Sequence, residues 1–181
     1  MKEWRFGDEG AQGTSAKELQ QWLAPLGVTL RAYPVAAAAR PWLTPAVLDT
    51  AGQAALLVAL DEVFQHLKAE RGYADRDLVV LYPEHPQLAA LDERFAPIHI
   101  HEDEEVRYVV DGEGIFGFVL PDGRQLEVTV NAGDYLHIPA QVEHWFRLTA
   151  HKRIKAVRYF SAQGGWTPIY SQRSRQRFPI Q

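Results

Sequence analysis

His99-Ile100-His101-Glu102-Asp103-Glu104-Glu105-Val106-Arg107 is the stretch on which the reading of this chain turns. Two imidazoles two residues apart point to one face of a strand, because side chains alternate along it with a period of two. Glu105 follows four residues after His101, and Arg107 two after that, so a fully extended chain would put all four on that face. A bend at Glu102-Asp103-Glu104 instead returns Glu105 on an adjoining strand, still able to reach the same centre. Gly112, six intervening residues beyond Glu105, falls in a turn at Asp111-Gly112-Glu113-Gly114. Downstream, Gly133, Pro139 and His144 form a second block, separated by five and then four residues.

Two or three imidazoles with one carboxylate suit a divalent transition metal such as iron or nickel, which takes borderline nitrogen donors and a hard anionic oxygen. Taken singly, each feature has a plainer explanation. One His-x-His pair is more often hydrogen-bonded than ligating, and an acidic run is more often a solvated loop. The joint spacing is what favours a metal. His137 sits beside Ile138 with the wrong parity and reads as a structural residue or a support for the ligands. His66, His85 and His151 read as surface histidines.

Composition narrows the chemistry. The chain has 181 residues, enough for one domain at about 150 residues per domain. With no cysteine there is no disulfide, thiolate-held cluster or thiol nucleophile, and a structural zinc site is disfavoured. A net charge of −4 argues against binding to nucleic acid or anionic lipid. No apolar run approaches the ~20 residues of a membrane span, and Met1 to Phe6 lack the form of a secretory signal. The expected location is cytoplasmic.

The first half of the chain reads as mixed α and β. Ser15-Ala16-Lys17-Glu18 has the form of a capping box, followed by Leu19, Trp22, Leu23 and Leu26 on one helical face. Pro25 and Gly27 end that helix, and residues 28–32 alternate as a strand. Thr44-Pro45 predicts the start of one long helix running to Arg71, with Gly72 as its left-handed cap. Leu56, Leu60, Val63 and Leu67 mark its buried face. Leu78 to Tyr82 reads as a buried strand and Pro86 to Arg94 as a short helix. From Ile98 to Tyr170, short apolar or alternating runs recur about every ten residues between Gly and Asp turns, the pattern of a β-sandwich or barrel. Besides the turn at 111–114, turns are expected at 121–123, 131–134 and 163–165. The basic stretch from Ser171 reads as a loosely held terminus.

His99-x-His101-x3-Glu105-x6-Gly112 resembles the first cupin motif, and Gly133-x5-Pro139-x4-His144 most of the second. Glu93, Gln141 and Leu148 stand where those motifs often carry Gly, Gly and Asn. The resemblance implies a mainly β fold, a cupin double-stranded β-helix or jelly roll with an N-terminal α/β elaboration packed outside. It implies a single domain over 1–181, with the elaboration at 1–95, the metal-binding core at 96–170 and a polar tail at 171–181. Phe95, Glu105-Val106-Arg107, His144-Trp145-Phe146, Val157-Arg158-Tyr159-Phe160 and Gly165-Trp166 sharpen it to the acireductone dioxygenases.

In that family the positions of His99, His101, Glu105 and His144 ligate one Fe(2+) or Ni(2+) per chain. The substrate implied is an acireductone, 1,2-dihydroxy-3-oxo-5-(methylthio)pent-1-ene, cleaved with O2 in methionine salvage. Iron implies 4-methylthio-2-oxobutanoate and formate; nickel implies 3-(methylthio)propanoate, carbon monoxide and formate. Arg107 and Arg158 would stabilise the bound dianion, with a rim salt bridge the equal alternative for Arg158. Phe95, Phe146 and Trp166 would wall the pocket. A monomer with no nucleic-acid or membrane partner is implied. Two alternatives stay open on the residues: another metal-dependent cupin oxygenase or isomerase, and a non-catalytic cupin that binds a small molecule.

Overall fold

A computed structural model describes residues 2–8, 10–161 and 167–178. Two antiparallel sheets make the core. In chain order the strands are β1 (Trp4–Phe6), β2 (Gln12–Gly13), β3 (Thr29–Ala32), β4 (Asp75–Leu81), β5 (His99–Ile100), β6 (Glu105–Val119), β7 (Gln125–Asn131), β8 (Asp134–Ile138), β9 (His144–Leu148), β10 (Ile154–Phe160) and β11 (Ile169–Tyr170). One sheet runs β11-β5-β9-β6-β7-β1-β2. The other runs β3-β8-β6-β10-β4.

β6 belongs to both sheets, and this is where the expected turn at 111–114 is corrected. Residues 105–112 pair with β8 and β10, while residues 113–119 pair with β7 and β9. The chain passes between sheets without reversing, through a bulge in which Ala156 faces Val109 while Lys155 faces Asp111, leaving Val110 as the extra residue. Gly112 has φ +70, and a Cβ there would stand 2.1 Å from the Arg153 carbonyl oxygen. Glycine at this position therefore encodes a corner inside one 15-residue strand rather than a hairpin.

Alternation assigns the faces. Phe116, Phe118, Leu126 and Val128 of one sheet meet Val109, Leu136, Ile138 and Ala156 of the other in a shared core. The outer face of the β3-β8-β6-β10-β4 sheet carries Val106, Tyr108, Val110, Tyr135, Val157 and Tyr159, which Leu56, Leu60, Phe64 and Leu67 cover. The mainly β architecture with helices packed outside agrees with the expected jelly roll.

Those covering residues belong to two helices, not one. After α1 (Ala16–Leu23) comes a single turn, α2 (Arg40–Leu43), then α3 (Thr50–Ala59) and α4 (Asp61–Arg71), broken at Leu60. Thr44 is no N-cap, because Asp49 caps α3 by accepting from the Gly52 amide at 2.7 Å. The backbone at 43–45 is held in another shape by a buried cation: Lys155 Nζ donates to the Leu43 and Pro45 carbonyls and to Asp111. Ser15 caps α1 and Gly72 caps α4 in the left-handed region, both as expected. The helix α5 (Leu88–Phe95) starts two residues later than expected, and β4 is a half-buried edge strand. Residues 171–178 are not loose: Ser174 and Arg177 accept from Gln125 and Asp8, and Phe178 packs on Trp145.

Gly117 lies between Glu127 and Trp145 in the cross-strand register. A Cβ on it would sit 1.8 Å from the Trp145 ring, so only a bare Cα lets the indole lie flat and donate to Glu127 at 3.1 Å. Gly117→Ala is expected to destabilise the fold by about 3 kcal/mol, as overpacking at a fixed backbone does. Urea unfolding would read this as a lower midpoint with an unchanged slope.

Candidate metal centre

The ligand atoms of His99, His101, Glu105 and His144 all lie within 4.8 Å of one another, and all four residues are buried. They arrive from both sheets. His99 on β5 pairs directly with His144 on β9, which places the two rings 4.5 Å apart. Glu105 opens β6 in the facing sheet. The bend expected at 102–104 is present, but β6 does not lie beside β5; β9 separates them, and the four side chains meet across the sandwich.

The turn that aims His144 contains Gln141 at φ +66. The glycine usual to the motif is absent, and hydrogen bonds to the His101 carbonyl from the Gln141 backbone amide, at 3.0 Å, and side chain, at 3.4 Å, help hold this left-handed residue.

His99 Nδ1 donates to the Pro97 carbonyl and His144 Nδ1 to the Val142 carbonyl, each at 2.8 Å. A neutral imidazole with its proton on Nδ1 turns the Nε2 lone pair inward. His144 Nε2 is 3.2 Å, and His101 Nε2 3.0 Å, from Glu105 Oε2. With its Nδ1 committed to Val142, His144 turns its Nε2 lone pair to that carboxylate, and the contact calls for a proton or a metal cation between them. That requirement and the donor set fit one divalent metal ion with three nitrogen ligands and one oxygen ligand.

Burial, then the neighbouring His144, pushes the His99 imidazole down to about 4. Burial alone would raise the Glu105 carboxyl, but the Arg107 guanidinium and the two imidazoles hold it well below the usual carboxylate range. Both shifts have the same consequence. An unfolded chain takes up protons at these groups before the folded one does, so stability falls as pH drops. The metal-free protein is expected to lose stability as pH falls from about 6.5 to about 4. Thermal unfolding across that range would show it, and His99→Ala would reduce the slope.

A cavity of about 480 Å³ opens beside the centre, lined by His99, Glu105, Arg107, Phe95, Phe146 and Arg158 among others. Arg107 forms a salt bridge with Glu105. Its Nη2 is 3.0 Å from Glu105 Oε1, because β6 puts residues 105 and 107 on one face. Glu104 turns the other way and meets His137 Nε2 at 2.6 Å, so His137 buttresses the bend and stands outside the ligand set. Arg158 pairs with Asp77 and lines the cavity as well. Trp166 lies outside the described residues, as does the turn expected at 163–165. His66 and His151 are exposed as expected, but His85 reaches the cavity wall.

Sequence reasoning missed Gln53, Leu88 and Leu91, which also line the cavity from α3 and α5. Leu88 and Leu91 fall on one face of the short helix expected at 86–94, but no local pattern tells that this face covers a cavity.

A model of the ARD/ARD' family matches residues 54–168. An acireductone dioxygenase of Microcystis aeruginosa is 45% identical over 173 residues, covering 95% of this chain and 94% of its own length. One from Trichodesmium erythraeum is 41% identical over 166 residues, with 91% and 92% covered. Among solved structures, the acireductone dioxygenase from Bacillus anthracis with a cadmium ion in its active centre matches with TM-score 0.85 and 27% identity, over 94% of this chain and 98% of that one.

Proposed function

Since the chain belongs to the ARD/ARD' family, that of the acireductone dioxygenases, we propose that it cleaves 1,2-dihydroxy-3-oxo-5-(methylthio)pent-1-ene with O2, using one Fe(2+) or Ni(2+) held by His99, His101, Glu105 and His144. The observation that carries this reading is the convergence of four buried donors, one of them a carboxylate, beside a cavity. When bound, the metal supplies a Lewis acid and a template for the two oxygens of an enediolate.

The chain's own groups do the rest. Pro97 and Val142 fix the tautomers of His99 and His144 through their carbonyls. Arg107, fixed against Glu105, offers a permanent positive charge where the enediolate charge gathers. Phe95 and Phe146 supply apolar wall for the methylthio end. The enzyme is proposed to act as a monomer, with all four donors on one chain. The proposed setting is methionine salvage in the cytoplasm; among the described residues no helix is long and apolar enough to cross a membrane.

The metal chooses the products in this proposal. The iron form gives 4-methylthio-2-oxobutanoate and formate, and the nickel form gives 3-(methylthio)propanoate, carbon monoxide and formate. Metal-stripped protein reloaded with each ion, then supplied with acireductone and oxygen, should yield those two product sets by chromatography and headspace analysis. Oxygen uptake no faster than the uncatalysed background in both loaded forms would overturn the reading.

A further inference from the structure

We propose that Asp77 is the counter-ion that sets how tightly the cavity holds a dianion, acting as a positioning residue through Arg158. The inference rests on the proposed reading only in taking the natural ligand to be an enediolate.

One cross-strand row carries the argument. In the β3-β8-β6-β10-β4 sheet, Arg107 pairs with Arg158 and Arg158 with Asp77. Glu105 stands two residues from Arg107 on the same face. Two ion pairs result, running outward from the metal centre. The inner one, Arg107 with Glu105, is nearly dry, with side chains 15% and 7% exposed. The outer one is wetter, at 32% for Arg158 and 45% for Asp77, though it is doubly bonded: Arg158 Nε donates to Oδ1 at 2.7 Å, and Nη2 contacts Oδ2.

The difference decides which arginine can exchange its carboxylate partner for an incoming anion, while Arg107 acts on that anion by its fixed charge. Arg107 is committed to a carboxylate that is itself a candidate ligand. Arg158 faces the same cavity, and its partner stands behind it on the edge strand β4. A half-exposed pair of this kind is held weakly, so a dianion in the cavity competes with Asp77 for the Arg158 guanidinium. The four side chains sum to zero charge, which a divalent metal and a dianion leave at zero. Removing the Asp77 charge leaves the filled site one unit positive. A dianion then binds more tightly, and the carboxylate products leave less readily. Asp77 therefore trades affinity for release. The other charged lining residues, Asp92 and Arg94, lie on exposed α5 and offset each other.

Oxalate, a chelating dianion, serves as the probe. It is titrated calorimetrically into nickel-loaded wild type, Asp77→Asn and Asp77→Glu, with metal content measured first. Asp77→Asn is expected to bind oxalate about tenfold more tightly at low salt, with the gain shrinking at high salt as screening requires. Asp77→Glu should stay within about twofold of wild type, and the KM for acireductone should fall in Asp77→Asn without a rise in kcat. Unchanged or weaker oxalate binding by Asp77→Asn would overturn the proposal, because a residue that merely orients Arg158 gives that result. Protein that shows the expected oxalate pattern yet fails to consume acireductone would sink the functional reading and leave this one standing.

Discussion

His144→Ala is expected to leave the protein folded and without metal, with turnover down by on the order of 10³ or more. His144 is both a candidate ligand and the cross-strand partner of His99, so its loss removes one of four donors and the inner wall of a second. A bound metal contributes several kcal/mol of charge stabilisation to a reaction of this kind, and each 1.36 kcal/mol is a factor of ten in rate. Elemental analysis and oxygen uptake on the same sample would check both halves. Truncating a buried imidazole also costs stability, so circular dichroism must show the native fold. Retained metal at wild-type stoichiometry would mean that the ligand set is wrong.

Arg107→Ala should give the opposite split: metal retained and activity lost by about 10² to 10³, the size of effect seen when one preorganised charge donor is removed. The side chain is buried against Glu105 Oε1 and lines the cavity, so its charge acts on the cavity through a weakly screened path. Arg107→Lys is expected to recover little, because an ammonium cannot reproduce a planar fork of donors. Wild-type turnover in Arg107→Ala would show that this arginine serves only to hold Glu105.

The site was more legible than the frame around it, and the reasons are physical. Strand periodicity and ligand chemistry act over a few residues, so His99, His101 and Glu105 could be grouped from spacing alone, and His144 by its motif. The displaced helix start at Asp49 goes with Lys155, more than 100 residues away, claiming the carbonyls of residues 43 and 45. No local pattern announces that. Gly112 was read as a turn because glycine beside aspartate signals one. The neighbouring strand β10, invisible at that range, makes it a corner inside β6 instead. The sequence leaves the salt-bridge partner of Arg158 unnamed for the same reason, since Asp77 lies 81 residues away.

The central claim is that these four side chains form one metal site, and a titration tests it most directly. Metal-stripped protein titrated with Ni(2+) should saturate at about one equivalent per chain, and a His99→Ala/His144→Ala double variant that keeps its fold should show no such saturation. Identical binding by the two proteins, or no saturable binding by wild type, would contradict the claim.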